Sequence, residues 1–262
     1  MTVGRLGAWS FGLATTAFGT IKFGIAVILV GILARLWIRV DALKSSLPAL
    51  RPAAGAGETI VPGTVETPYG RATVSISAPR PLLIHRMARA LWAPMLAMGA
   101  MAVLAGFILS LVQTSNVGAD DALATSQQAW VAGLQFLGEG FLLSGVSFLL
   151  GTILGSIRKG GGEVQESLGV GVKTLDMPLA AKLFVGLMAL GLMVEVFQFV
   201  AYAVVATFDD AGTIASSFAW LGPVREAGLG VLLSGIVLAL ATIGKALGFQ
   251  HSRIAEIVSA GS

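Results

Sequence analysis

The sequence predicts an all-α integral membrane protein: a bundle of five transmembrane helices, N-terminus outside and C-terminus cytoplasmic, with small β-like elements in its cytoplasmic loops. Three observations carry this. Of the 262 residues, 55% are apolar and 12% charged, against about 25% charged in an ordinary soluble domain. The polar residues gather between long apolar runs, each near the roughly 20 residues that a helical crossing needs. Finally, one stretch occurs twice: AWVAGLQFLGEGFLLSGVSFLLGTIL at 129–154 returns as AWLGPVREAGLGVLLSGIVLALATIG at 219–244.

Slid by 90 positions, 11 of those 26 pairs are identical, among them Trp130/Trp220, Gly138/Gly228, Thr152/Thr242 and the LLSG run of Leu142–Gly145 against Leu232–Gly235. Each copy follows a short acidic loop and another apolar helix. The chain therefore reads as a duplicated two-helix hairpin. Two crossings return the chain to the side it left, so the copies are parallel, unlike the inverted repeats of many transporters.

Taken in order, residues 1–19, with Arg5, Trp9 and Phe11, are expected to lie at the membrane interface, with an extension of a long, tilted first helix as the alternative for 5–19. The first crossing is 20–40, bounded by Lys22 and by Arg35 and Arg39, whose long side chains reach the headgroups. A cytoplasmic linker and small hairpin follow at 41–90. The first hairpin repeat, 91–156, holds crossings at 91–113 and 129–156. The second, 180–247, holds crossings at 180–206 and 219–247. A cytoplasmic loop at 157–179 joins them, and 248–262 form a cytoplasmic tail. Orientation follows the Lys/Arg bias. The inner segments carry Arg71, Arg80, Arg86, Arg89, Arg158, Lys159, Lys173, Lys182, Lys245 and Arg253, whereas 114–128 and 207–218 contain no Lys or Arg.

Within 41–90, SSLPALRPAAGAG is a flexible linker. TIVPGTVETPYGRATVSIS alternates apolar and polar residues around Pro-Gly and Tyr-Gly turns, which predicts a β-hairpin. PLLIHRMARA is a basic amphipathic lead into the second crossing. In the other inner loop, Gly160-Gly161-Gly162 opens a turn and a Val/Leu alternation follows. That alternation is able to pair with the hairpin into a minimal cap.

Composition also excludes classes of function. With no cysteine there is no disulfide, thiol nucleophile or cysteine metal site. The net charge of +3 does not point to nucleic acid, because the basic residues flank apolar segments. The two histidines, His85 and His251, fall at the cytoplasmic interface and read as ordinary interfacial residues, with no cofactor or metal expected. No metalloprotease, nucleophile-elbow or phosphate-loop motif is present. The acidic pairs Asp120-Asp121 and Asp209-Asp210 stand at equivalent points of the repeat. They read as solvated loops, with a weak cation site as the alternative.

Glycines recur seven apart, hence on one helix face: Gly24/Gly31, Gly99/Gly106, Gly138/Gly145 and Gly228/Gly235. Lipid tails are as apolar as leucine, so membrane helices associate by close packing, which small residues permit. Gly151 and Gly155 add a tighter contact. The duplicated Ser144 and Ser234 are expected to bond across helices or back to their own helix.

Five ionisable residues fall within the crossings: Lys22, Glu139, Glu195, Arg225 and Glu226. Such residues are costly in a membrane and are candidates for function. At about 1.5 Å of rise per residue, all five fit one layer in the outer half of the bilayer. Gln135 stands one turn from Glu139, and Glu195, Gln198 and Tyr202 form a polar stripe on the fourth crossing. The repeat sets Arg225 opposite Gln135 and Leu229 opposite Glu139, so the charges are unique to one copy.

Two functions follow as expectations. The first is a non-catalytic subunit or accessory scaffold of a bacterial-type inner-membrane complex, partnered by the lipid bilayer and by other membrane subunits or further copies of itself. The second is a small homo-oligomeric proton, ion or solute channel that uses the Glu/Arg cluster. An enzyme is not expected.

Overall fold

A computed structural model describes residues 3–50 and 60–260. The element order is α1 (Val3–Leu50), β1 (Gly63–Thr67), β2 (Gly70–Ser75), α2 (Leu83–Asn116), α3 (Asp121–Ser167), β3 (Val172–Leu175), α4 (Leu179–Val205) and α5 (Ala211–Ala260). All five helices are long and apolar enough to cross a membrane. Their lengths, from 27 residues in α4 to 50 in α5, correspond to about 40 to 75 Å of rise.

The helices outrun the predicted crossings. α1 shows no break between the expected interfacial segment and the first crossing, and it continues to Leu50 through the start of the expected linker. The rest of that linker lies outside the described residues. α3 continues through Gly160-Gly161-Gly162 to Ser167, where a turn was expected, and α5 runs to Ala260 through the expected tail. Gly161 and Gly162 are tolerated inside α3 because they serve close approach. A Cβ on Gly161 would collide with the Gln250 side chain, and one on Gly162 with Pro79.

The chain divides into two compact units, and all five helices contribute segments to both. One comprises the chain up to Val27, Leu91–Ser147 and Val185–Ile236; the other comprises Ile28–Ala90, Phe148–Phe184 and Val237 onward.

In the first unit α3 is the central element. Along its most apolar stretch 78% of the residues are buried, against 17–33% for the other four helices. The glycine contacts explain how α2 reaches it. A Cβ on Gly99 would stand 2.8 Å from the Leu142 backbone nitrogen, and one on Gly138 would stand 2.9 Å from the Gly99 carbonyl. Gly145 does the same against Leu96, and Gly106 against Gln135. The second hairpin repeats the pattern: a Cβ on Gly191 would meet the Leu232 side chain at 2.5 Å, and one on Gly228 would meet Val194 at 2.8 Å. Leu142 and Leu232 are aligned residues of the repeat, as are Gly138 and Gly228. The Gly24/Gly31 pair departs from expectation, since a Cβ on either would touch nothing within 4 Å.

Helix ends have identifiable causes. Asp120 accepts the Leu123 amide at 2.9 Å and Asp210 accepts the Thr213 amide at 2.6 Å, so the aligned acidic residues are N-caps of α3 and α5. α3 ends at Gly169, whose φ is +73°. There the Val170 amide returns to the Gln165 carbonyl and the Gly169 amide to that of Glu166, the double bond of a glycine C-cap.

In the second unit the expected hairpin forms, with Thr67 opposite Gly70, and β3 joins β2 antiparallel to give the order β1-β2-β3. Gln165 fastens β3 through its side chain, accepting the Lys173 amide at 2.9 Å and donating to the Lys173 carbonyl at 3.2 Å. Buried Arg253 bonds to Gln165 Oε1 at 3.1 Å and to the Gly171 carbonyl at 2.9 Å.

Candidate functional site: a buried ion network on α3

Glu139 is the centre of the site. It lies on the most buried helix and is 1% exposed. Its Oε2 accepts from Lys22 Nζ of α1 at 2.6 Å and from Arg225 Nη2 of α5 at 3.3 Å. Arg225 Nη1 also donates to Glu226 Oε1 at 3.0 Å, and Glu226 reaches outward with a side chain 71% exposed. The guanidinium lies over the Phe136 ring, 3.9 Å from its centroid. This places a delocalised cation against a π face, a contact that gains when water is excluded.

One turn before Glu139, buried Gln135 accepts from the Thr15 hydroxyl and donates weakly to the Gly12 carbonyl at 3.5 Å. Thr15 and Lys22 stand two turns apart on α1, so one face of α1 supplies both contacts to α3. Neither Thr15 nor Phe136 stands out in the sequence as a site residue. The seven-residue spacing from Thr15 to Lys22 is the signal for the first. The ring beneath Arg225 has no such signal.

α4 brings its polar stripe inward: Glu195, Gln198 and Tyr202 are all buried. Gln198 Nε2 donates to the Leu221 carbonyl of α5 at 2.8 Å. The Tyr202 ring lies between Phe136 and Phe218, with centroids 5.6 and 5.2 Å away. Glu195 differs from every other charge here. It is fully buried, and neither carboxyl oxygen has a hydrogen-bond partner. It is wedged between glycines: a Cβ on Gly140 would stand 2.5 Å from its Cγ, and one on Gly228 would stand 2.9 Å from its Oε1.

The five ionisable residues singled out in the sequence therefore form one cluster, since Glu139, Arg225, Lys22 and Glu226 all act electrostatically on Glu195. The packing residues divide. Gly138, Gly145 and Gly228 make close helix contacts, and Gly235 is buried. Ser234 is exposed and bonds back to the Gly230 carbonyl at 2.8 Å, whereas buried Ser144 Oγ has no partner.

His85 Nδ1 lies 3.3 Å from the Gly151 carbonyl, and His251 is exposed. No group of three or more His, Asp or Glu residues able to hold a metal ion occurs among the described residues. Comparison with protein-family models, curated proteins and solved structures finds no match to this chain.

Proposed function

We propose that this chain is a non-catalytic integral subunit or scaffold of a bacterial-type inner-membrane assembly, with its N-terminus outside and its C-terminus in the cytoplasm. The observation that carries the reading is Glu139, which takes cations from two different helices, Lys22 from α1 and Arg225 from α5. A carboxylate so held fixes the rotation and height of both helices on α3. Breaking such a pair leaves a buried charge uncompensated and costs about 3–5 kcal/mol. The network is thus a fastener that adds to the glycine contacts and to the Gln135 and Gln198 hydrogen bonds between helices.

Two further features support the reading. The outward faces of α1 and α4 carry Ile21, Phe23, Ile28, Met193, Phe197 and Val200, all well exposed, which suits acyl chains or the helices of neighbouring subunits. The basic inner segments and Lys/Arg-free outer loops favour the stated orientation. The test is native mass spectrometry of the protein gently extracted from its source membrane. Different subunits at fixed stoichiometry are expected. A lone homo-oligomer would overturn the subunit reading in favour of a channel built around the same charges.

A further inference from the structure

We propose that Glu195 is a buried proton-binding site, whose carboxyl holds a proton while Glu139 holds Lys22 and Arg225. The inference goes beyond the scaffold reading and stands whether or not the chain has partners.

Geometry carries it. A carboxylate removed from water needs hydrogen bonds or a counter-ion, and Glu195 has neither on either oxygen. The two cations nearby are already committed, Lys22 and Arg225 both to Glu139 Oε2. Packing against the glycine of the repeat does not by itself call for an acid. Against Gly138 stands Val103, and against the aligned Gly228 stand Val194 and the Glu195 carboxyl. An apolar side chain, Val103, suffices at the matching place of the first hairpin.

The charged groups that face Glu195 are Glu139 from α3, Arg225 and Glu226 from α5 and Lys22 from α1. Arg225 is placed to answer a change in its charge. Glu195 Oε1 lies against Gly228, one turn from Arg225 on α5, and Arg225 Nε is itself buried without a partner. On release, the O–H bond of the neutral acid breaks, its electron pair stays on the carboxylate and the proton passes to water. The carboxylate then accepts from Arg225, and Glu139 keeps Lys22.

Room for water exists in the same unit. A cavity of about 550 Å³ is lined by Phe11, Gln113, Asp121, Thr125 and Gln128 among others. Phe11 packs edge-on against Phe136, the ring beneath Arg225. A cavity of that size admits water, and it lies on the side of the bundle where Thr15 meets Gln135.

The test is infrared spectroscopy of the full chain in lipid nanodiscs during a pH titration. The carbonyl band of a protonated carboxylic acid is expected at neutral pH. It should shift in heavy water, vanish in Glu195→Gln and persist in Glu226→Gln. Absence of the band in the native protein, or its survival in Glu195→Gln, overturns the proposal. A second measurement guards against a misfolded variant: Glu195→Val should melt at the native temperature or above it. A drop of several degrees would show that the acid is held as a structural ion, and would also overturn the proposal.

Discussion

Val103 and Glu195 stand at matching places in the two hairpins, Val103 against Gly138 and Glu195 against Gly228. What surrounds the two glycines nevertheless differs. A Cβ on Gly138 would press on backbone, 2.8 Å from the Val103 nitrogen and 2.9 Å from the Gly99 carbonyl. A Cβ on Gly228 would press on side chains, 2.8 Å from Val194 Cγ1 and 2.9 Å from Glu195 Oε1. Side-chain tips are able to turn aside and backbone is not. Overpacking costs about 1–3 kcal/mol, and Gly138→Ala should fall at or beyond the upper end, Gly228→Ala near the lower. Thermal melts of the two variants side by side check this, and equal losses would contradict it.

The fastener role of Glu139 predicts an asymmetry among the carboxylates. Glu139→Gln leaves Lys22 and Arg225 facing a neutral amide inside the bundle, and should cost about 3 kcal/mol or more. Glu226→Gln removes a partner that is 71% exposed, a class of ion pair worth about 0–1 kcal/mol. The melting temperature and membrane abundance of the first variant should drop sharply, and those of the second hardly at all.

How much of this was legible in the sequence depends on the kind of signal. The five apolar helices and the charged layer follow from solvation, which acts residue by residue and leaves its mark in the local sequence. The hairpin at Gly63–Ser75 and the strand at Val172–Leu175 follow from alternation and turn residues, both local as well. The helix ends did not follow. Gly160-Gly161-Gly162 has the composition of a turn, and only the arrival of Gln250 and Pro79 reveals that these glycines admit neighbours. Tertiary context overrides propensity in this way wherever a helix interior is packed. The difference between Glu139 and Glu195 was equally hidden. Both are single glutamates in apolar helices, and only the third dimension shows that one is doubly paired and the other unpaired.

The acidic loop residues lead to a prediction about pH. Two hydrogen bonds from Thr213, from its hydroxyl and its amide, hold the Asp210 carboxyl below its ordinary range. A depressed folded-state value means that the cap stabilises above the ordinary carboxylate range, and that this contribution disappears as pH falls through the lowered value. Asn caps a helix about as well as Asp but does not titrate in this range. Asp210→Asn should therefore melt close to the native protein near neutral pH and lose less stability on acidification. Parallel melting curves across the acid range would refute the assignment of the cap.

Arg253 links the end of α5 to the sheet. Its guanidinium is buried and binds Gln165 Oε1, the Gly171 carbonyl and Glu256. Gln165 in turn holds both backbone groups of Lys173, and Lys173 reaches Glu256 at 2.5 Å. Substituting Arg253→Met keeps an unbranched apolar stem but removes every donor, so the Gly171 carbonyl loses its partner and Gln165 loses its orientation. An unsatisfied buried acceptor costs about 1–3 kcal/mol. That cost should appear first as local opening of β3, since a four-residue strand has few other contacts to resist it. Hydrogen exchange at the amides of Val172–Leu175 should accelerate roughly tenfold or more, equivalent to about 1.4 kcal/mol. The amides of α3 around Glu139 should keep their native rates, because the ion network there does not depend on Arg253. Uniform acceleration along the chain would mean that Arg253 supports the whole fold, contrary to the local role its contacts describe.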